Sequence, residues 1–80
     1  MKSVEVRYFA LLREEAGRDM ETLDVNCRTY AELYEVLREK HKFRLPGTMV
    51  QVAVNDEYVT LQSEVTPGAR VVFIPPVAGG

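Results

Sequence analysis

The residues best suited to chemistry lie at the end of the printed sequence, in Pro75-Pro76-Val77-Ala78-Gly79-Gly80. The two prolines lack N–H groups, so they cannot continue a central strand, and they hold the backbone near polyproline II. Ala78, Gly79 and Gly80 have almost no side chain and therefore fit a slot too narrow for other residues. We expect a stiff segment that carries a thin end with a free carboxylate at Gly80.

Such a carboxylate suits activation followed by transfer. A carboxylate is a poor electrophile, whereas adenylation with ATP converts it to an anhydride that a sulfur or nitrogen nucleophile attacks. Glycine leaves the carbonyl carbon unhindered, and the acid–base groups belong to a partner that the carrier is positioned against. The plainer interpretation is that small residues are common at frayed termini. The two prolines before them favour a functional tail.

Composition limits the kind of protein that can carry this tail. The chain has 80 residues and a mass of 9.1 kDa, which is one small domain with little room for a deep active site of its own. A single cysteine excludes an internal disulfide framework, and one histidine makes a His-rich metal site unexpected. A net charge of −2 does not suit a nucleic-acid surface, and no apolar run reaches membrane-spanning length. We expect a cytoplasmic protein that binds neither nucleic acid nor membrane and is not an enzyme alone.

Periodicity predicts the elements that position the tail. Val4, Val6 and Tyr8 alternate with polar residues, which is typical of a half-buried strand. Thr29 followed by Glu32 predicts a capping box at the start of a helix, and Gly17 is placed to end a shorter one. The predicted elements are a first strand over 4–9, one or two helical turns over 10–16, a strand over 20–25, a helix over about 29–41 whose apolar stripe is widened by Val36, a strand over 49–55, a short strand at 58–59 and a last strand over 70–74.

This order predicts an α+β fold in which one main helix covers one face of a mixed sheet of four to five strands. A β-grasp (ubiquitin-like) sheet satisfies it, with the first and last strands parallel and adjacent. We expect residues 1–74 to form the domain and residues 75–80 to form an extended, flexible tail.

Two segments carry a resemblance to a known family. Val6-Arg7-Tyr8-Phe9-Ala10-Leu11-Leu12-Arg13-Glu14-Glu15-Ala16-Gly17 is similar to the family's opening motif, and Val71 through Gly80 is similar to its closing motif. The chain resembles the small, sulfur-carrier subunit of molybdopterin synthase (MoaD-like), a ubiquitin-like β-grasp family.

The resemblance implies a mechanism and a set of partners. An E1-like adenylating enzyme activates the Gly80 carboxylate with ATP, giving a glycyl adenylate, and a persulfide donor converts Gly80 to a thiocarboxylate (1-thioglycine). The tail, Pro75 to Gly80, enters the large catalytic subunit and passes sulfur to cyclic pyranopterin monophosphate to form the molybdopterin dithiolene. The family's active complex is a heterotetramer, and the small subunit itself binds no cofactor or metal.

Strand parity predicts a docking patch beside the tail. If Val4, Val6 and Tyr8 face the helix, Phe9 faces away, and Ile74 does the same at the end of the last strand. Exposed apolar patches of this kind mark docking sites. The predicted partner-binding patch consists of Phe9, Arg13, Tyr58, Phe73 and Ile74, and Arg13 enters it through the resemblance.

Three alternatives remain open at this point: a thiamin-type sulfur carrier, a ubiquitin-like modifier that joins Gly80 to lysines of other proteins, and a β-grasp interaction module whose tail has no role. Cys27 is interpreted as incidental because it has no Cys-x-x-Cys partner. His41 is interpreted as a residue matched to the negative end of the helix dipole.

Overall fold

The computed structural model describes residues 1–76, and its elements follow the predicted order. The third strand begins later than predicted because Gly47–Met49 form a short 3-10 turn before it. The elements are β1 (Lys2–Tyr8), α1 (Ala10–Ala16), β2 (Met20–Val25), α2 (Tyr30–His41), β3 (Gln51–Val54), β4 (Glu57–Val59) and β5 (Arg70–Ile74).

The five strands form one mixed sheet in the order β2-β1-β5-β3-β4. β1 and β5 are parallel neighbours, whereas β1–β2, β3–β5 and β3–β4 are antiparallel. The β-grasp prediction is therefore confirmed, including the parallel pairing of the first and last strands. This pairing brings the end of β1 and the end of β5 to the same end of the sheet.

The core lies between the sheet and α2. Val6, Val71 and Phe73 are fully buried on the sheet side, and the helix contributes Leu33 and Leu37, also fully buried. Period two along the strands and period 3.6 along the helix place these side chains against one another.

Val36 does not join this core, contrary to the prediction that it widens the apolar stripe of α2. Its side chain is 46% exposed and faces the cleft beside β2, where Leu23 also lies. The buried stripe on α2 is therefore narrower than its sequence suggests, and Val36 stays partly exposed.

The helix ends follow the predicted capping chemistry. Thr29 Oγ1 accepts a hydrogen bond of 3.3 Å from the backbone N–H of Glu32, and the Glu32 carboxylate accepts one of 2.9 Å from the N–H of Arg28. The first contact satisfies one of the N–H groups that the start of a helix leaves free. The second differs from a capping box, because the Glu32 carboxylate reaches the residue before the N-cap rather than Thr29 itself. Gly17 ends α1 with a φ of 74°, a left-handed conformation that glycine adopts without strain.

Two further findings concern membranes and metals. No helix in residues 1–76 has both the length and the apolar character needed to cross a bilayer. The same stretch of chain holds no group of three or more His, Cys, Asp or Glu side chains arranged to bind a metal ion.

Candidate functional site

The parallel pairing of β1 and β5 builds the root of the tail. Tyr8 lies opposite Phe73 in this pair, and both side chains point into the core. Side chains alternate between the two faces of a strand, so the next residues, Phe9 and Ile74, are directed away from the core. Phe9 is 51% exposed and Ile74 is half-buried. Two apolar side chains thus meet the solvent where the chain leaves the sheet.

These residues belong to an apolar cleft of about 500 Å³. The cleft is lined by Phe9, Ala10, Leu11, Leu45, Ile74, Pro75 and Pro76. Leu11 comes from α1 and Leu45 from the segment between α2 and β3, and sequence reasoning assigned neither to the site. A cleft walled by three separate parts of the chain is a better docking site than a flat patch, because it gives a partner side chain several contacts.

Hydrogen bonds from both helices hold the Leu45 wall in place. The Tyr34 hydroxyl on α2 donates to the Leu45 carbonyl oxygen at 2.7 Å, and the Glu15 carboxylate on α1 accepts from the Arg44 N–H at 3.3 Å. Burial raises the pKa of Tyr34 to about 12, so the phenol remains a hydrogen-bond donor at neutral pH. The cleft is therefore fixed by the core that lies beneath it.

The opposite wall contains a strained residue. Ala10 has a φ of 50°, which lies in the left-handed region and costs a residue with a side chain roughly 1–2 kcal/mol. The Phe9 carbonyl accepts hydrogen bonds from the N–H groups of Leu12 at 3.1 Å and Arg13 at 3.3 Å, which hold this turn closed. Strain that the surroundings maintain is often found at binding sites, and the two neighbours of Ala10, Phe9 and Leu11, both line the cleft.

The structure corrects one member of the predicted patch. Phe73 is 0% exposed beneath α2, so its assignment to the docking surface is wrong. The reason is strand parity, because Phe73 has the same orientation as Val71 and the opposite one to Ile74.

The remaining members are all accessible but do not form one patch. Tyr58 is 70% exposed on the open face, where it pairs with Ala53 across β3–β4 and lies outside the cleft. Arg13 is exposed on α1, with its Nε 3.8 Å from Asp19.

Only the first part of the tail is described. Pro75 is half-buried in the cleft and Pro76 is exposed. Val77, Ala78, Gly79 and Gly80, to which we assigned entry into a partner and the reacting carboxylate, lie outside the described residues.

A buried carboxylate on the covered face was missed by sequence reasoning. Glu21 Oε1 accepts from the Tyr8 hydroxyl at 2.5 Å and lies 2.6 Å from His41 Nε2, while Oε2 lies 3.0 Å from Lys40 Nζ and 3.2 Å from Arg18. Burial alone would raise the pKa of Glu21, but the hydrogen bonds from Tyr8, His41 and Lys40 outweigh it and lower the pKa to about 2. This cluster links β2 to β1 and to α2. His41 therefore also contacts a buried carboxylate, in addition to its predicted interaction with the helix dipole.

Cys27 lacks the features of a reactive thiol. Its side chain is half-buried, and burial together with the negative charge of Glu32 raises the pKa of the thiol. A raised pKa lowers the fraction of thiolate, which is the nucleophilic form. The environment of Cys27 therefore agrees with its interpretation as incidental.

Comparison with known proteins gives the same picture. The model of the ThiS family matches residues 6–80. A protein described as molybdopterin converting factor subunit 1 from Pyrococcus furiosus superimposes with a TM-score of 0.80 at 30% identity, covering 96% of this chain and all of that chain. The small archaeal modifier protein 1 of Haloferax volcanii gives a TM-score of 0.79 at 25% identity, with 96% and 100% coverage.

A third solved structure contains a partner. The complex of subunits 1 and 2 of the molybdopterin-converting factor from Helicobacter pylori gives a TM-score of 0.66 at 26% identity, covering 98% of this chain and 99% of that chain. The family match runs through nearly the whole chain, including the two segments on which the resemblance was based. The chain belongs to the ThiS family and has the ubiquitin-like fold of the sulfur carriers.

Proposed function

We propose that this chain is the sulfur-carrier subunit of a molybdopterin synthase. Gly80 carries the reacting group, first as an acyl adenylate and then as a thiocarboxylate. Residues 1–74 are the domain that partners recognise, and residues 75–80 are the tail that enters the large subunit. The chain has no catalytic groups of its own in this scheme.

The steps of the proposed reaction are divided among three partners. An E1-like enzyme joins the Gly80 carboxylate to AMP, with pyrophosphate leaving from ATP. The outer sulfur of a persulfide donor then attacks the Gly80 carbonyl as AMP leaves, which gives an acyl disulfide. A second thiol cleaves the S–S bond of this acyl disulfide, so that the Gly80 thiocarboxylate is released and the donor sulfur leaves in a disulfide with that thiol. The large subunit receives the tail in a heterotetramer of two small and two large subunits, and sulfur passes to cyclic pyranopterin monophosphate. Because activation consumes ATP, we place this cycle in the cytoplasm.

One observation carries the proposal: an apolar cleft lies at the root of a tail that the family match includes through Gly80. A partner that binds against Phe9, Leu45 and Ile74 fixes the position of the start of the tail relative to itself. A chain near polyproline II rises about 3.1 Å per residue, so the six residues from Pro75 to Gly80 span up to roughly 19 Å. Docking at the cleft therefore sets how far the Gly80 carbonyl reaches into a partner.

The direct test is reconstitution of molybdopterin formation with purified large subunit, adenylating enzyme and sulfur donor. Deleting Gly80, or adding one residue after it, should abolish product formation. The thermal midpoint should stay nearly unchanged, since a residue at the end of a tail contributes little packing. Product formation by the shortened chain would contradict the proposal.

The similarity to a small archaeal modifier protein favours a second candidate, in which Gly80 is joined to lysine side chains of target proteins. The adenylated intermediate is the same, but the acceptor is nitrogen rather than sulfur. Mass spectrometry of cell extracts separates the two. Adducts on target lysines support the modifier, whereas a thiocarboxylate at Gly80 supports the sulfur donor. A reconstitution with a thiazole-forming enzyme and its precursors, in place of the large subunit and the pterin, tests the thiamin-type carrier.

A further inference from the structure

A second apolar cleft lies on the other side of the domain, between the outer edge of β2 and α2. It has a volume of about 430 Å³ and is lined by Leu23, Asp24, Val25, Asn26, Cys27, Glu32 and Val36. Val36 is nearly half exposed in the middle of α2, and Leu23 is half-buried on β2. The cleft therefore has an apolar floor that the domain leaves uncovered.

One wall of this cleft is a free strand edge. Within residues 1–76, β2 pairs only with β1, so the backbone groups on its outer side have no strand partner. The opposite edge of the sheet is β4, which has only three residues, whereas β2 has six. Natural sheets protect their edges by shortening them, by placing lysine or proline there or by an inward-pointing charge. β2 contains neither lysine nor proline, and its inward-pointing charge, Glu21, does not line the cleft.

Both charged residues that line this cleft are acidic. Asp24 and Glu32 line it, and no lysine or arginine does. In the part of the chain that the structure describes, neither carboxylate takes part in a salt bridge, and Glu32 instead accepts the N–H of Arg28. An apolar surface bordered by acidic side chains is complementary, in polarity and in charge, to a segment that combines apolar with basic side chains.

The cleft lies far from the tail along the sheet. Val25 pairs with Lys2 at the start of β1, whereas Phe9 and the tail root lie beyond the end of β1. β1 has seven residues, and strands rise about 3.3 Å per residue, so the two sites are separated by roughly 20 Å along the strand. Occupation of one site leaves the other open.

We infer that the β2–α2 cleft binds an extended protein segment in which apolar residues alternate and lysine or arginine is present. The segment adds to the sheet as a sixth strand beside β2. Its backbone pairs with the free edge, and its apolar side chains contact Leu23 and Val36 on the side of α2. The side chains between them point to the opposite face of the sheet, where a basic residue meets Asp24, and a basic residue on the side of α2 meets Glu32. The chain is thereby held by a partner while the tail cleft and Gly80 stay accessible to another protein.

A displayed library of randomised ten-residue peptides, selected against the intact chain and counter-selected against Val36→Gln, tests this inference. Glutamine suits an exposed helical position, so the variant should fold normally. Recovered peptides should alternate apolar residues and contain lysine or arginine. On isotopically labelled protein, they should shift the amide resonances of β2 and of Val36 but not that of Phe9.

The affinities of the recovered peptides for variants of the chain then measure the contribution of each proposed contact. Val36→Gln should weaken binding roughly five- to tenfold, as loss of a central apolar contact does. Asp24→Asn should weaken it by up to about fivefold, the range of an exposed ion pair. The matched control Glu14→Gln, at an exposed position of α1, should bind normally. Proline at the centre of the peptide should abolish binding, because it removes a backbone donor.

Three results would overturn the inference. The first is a selection that recovers no peptide able to distinguish the wild-type chain from Val36→Gln. The second is a set of amide shifts confined to Phe9, Leu11 and Ile74. The third is a concentration-dependent shift of β2 resonances without peptide, which would assign the edge to a second copy of the chain.

Discussion

Phe73 and Phe9 are offset by one position across the β1–β5 pair, yet they differ in almost every physical respect. Phe73 is fully buried and its ring lies 5.2 Å from that of Tyr34. Phe9 is half exposed and lines the cleft at the tail. One strand pair thus places one phenylalanine under the helix and the other in the solvent-exposed cleft where we propose that partners bind.

The comparison teaches how an 80-residue chain can leave apolar side chains exposed at the proposed docking site without losing its fold. Residues that hold the domain together lie on the face covered by α2, and strand parity directs their immediate neighbours elsewhere. Exposed apolar side chains at the tail cleft therefore add little to stability. They are free to serve binding, which is the expected meaning of an apolar cleft on a small protein.

The largest expected effect is on stability, and it tests the difference between Phe73 and Phe9 by replacing each of them with alanine. Phe73→Ala should lower the free energy of unfolding by about 3–5 kcal/mol, because it leaves a cavity in the core. Phe9→Ala should lower it by less than about 1 kcal/mol, since water already contacts much of the ring. Urea denaturation of both variants measures the difference. Equal losses would show that Phe9 is a core residue after all.

The next effect concerns the charged cluster on the covered face. Glu21→Gln should destabilise the fold by roughly 2–3 kcal/mol at neutral pH, because the folded-state pKa of Glu21 lies at about 2, below its ordinary value of 4.5. A folded-state pKa below the unfolded one means that the carboxylate stabilises the fold above pH 4.5. This stabilisation is lost as the pH falls from about 4.5 to 2.

Denaturation of wild type and Glu21→Gln across this pH range measures the effect. The gap between the two should be full at pH 6 and should close as the pH approaches 2. A gap that does not change with pH would mean that glutamine disturbs packing rather than the charge. Arg7→Gln is a suitable control, because its partner Glu5 lies on the open face in an exposed pair.

Phe9→Ala, which should change stability least, should have a clear effect on binding to a partner. Phe9→Ala should weaken binding to the large subunit about tenfold or more, as the loss of an aromatic anchor does. Tyr58→Ala, which removes an exposed aromatic residue from the same face but outside the cleft, should weaken it less. Calorimetric titration of the purified subunits compares the two. A larger loss for Tyr58→Ala would move the docking site from the tail cleft toward β4.

Sequence reasoning succeeded where local rules decide the outcome. Alternation in Val4, Val6 and Tyr8 set the covered face of β1, and the Thr29–Glu32 pair set the start of α2, because each depends on residues close in the chain. Parity also placed Phe9 and Ile74 away from the core. The same strand parity predicts that Phe73 faces the core, so including Phe73 in the predicted partner-binding patch misapplied the rule.

What escaped prediction depends on contacts between distant segments. Leu45 reaches the tail cleft only because Tyr34 holds its carbonyl and Phe43 is anchored in the core. Glu21 is buried at an acceptable cost only because donors arrive from β1, from α2 and from Arg18. Val36 looks like a core residue in its helical pattern, but the position of β2 leaves it uncovered.

The central claim is that Gly80 carries sulfur while the folded domain only docks. Its most direct test is the intact mass of the chain after incubation with ATP, an adenylating enzyme, a persulfide donor and a thiol that cleaves the acyl disulfide. The account predicts the gain expected when sulfur replaces one oxygen, assigned by fragmentation to Gly80, and the same gain for Cys27→Ser. An unchanged mass, or sulfur found on Cys27, would contradict it.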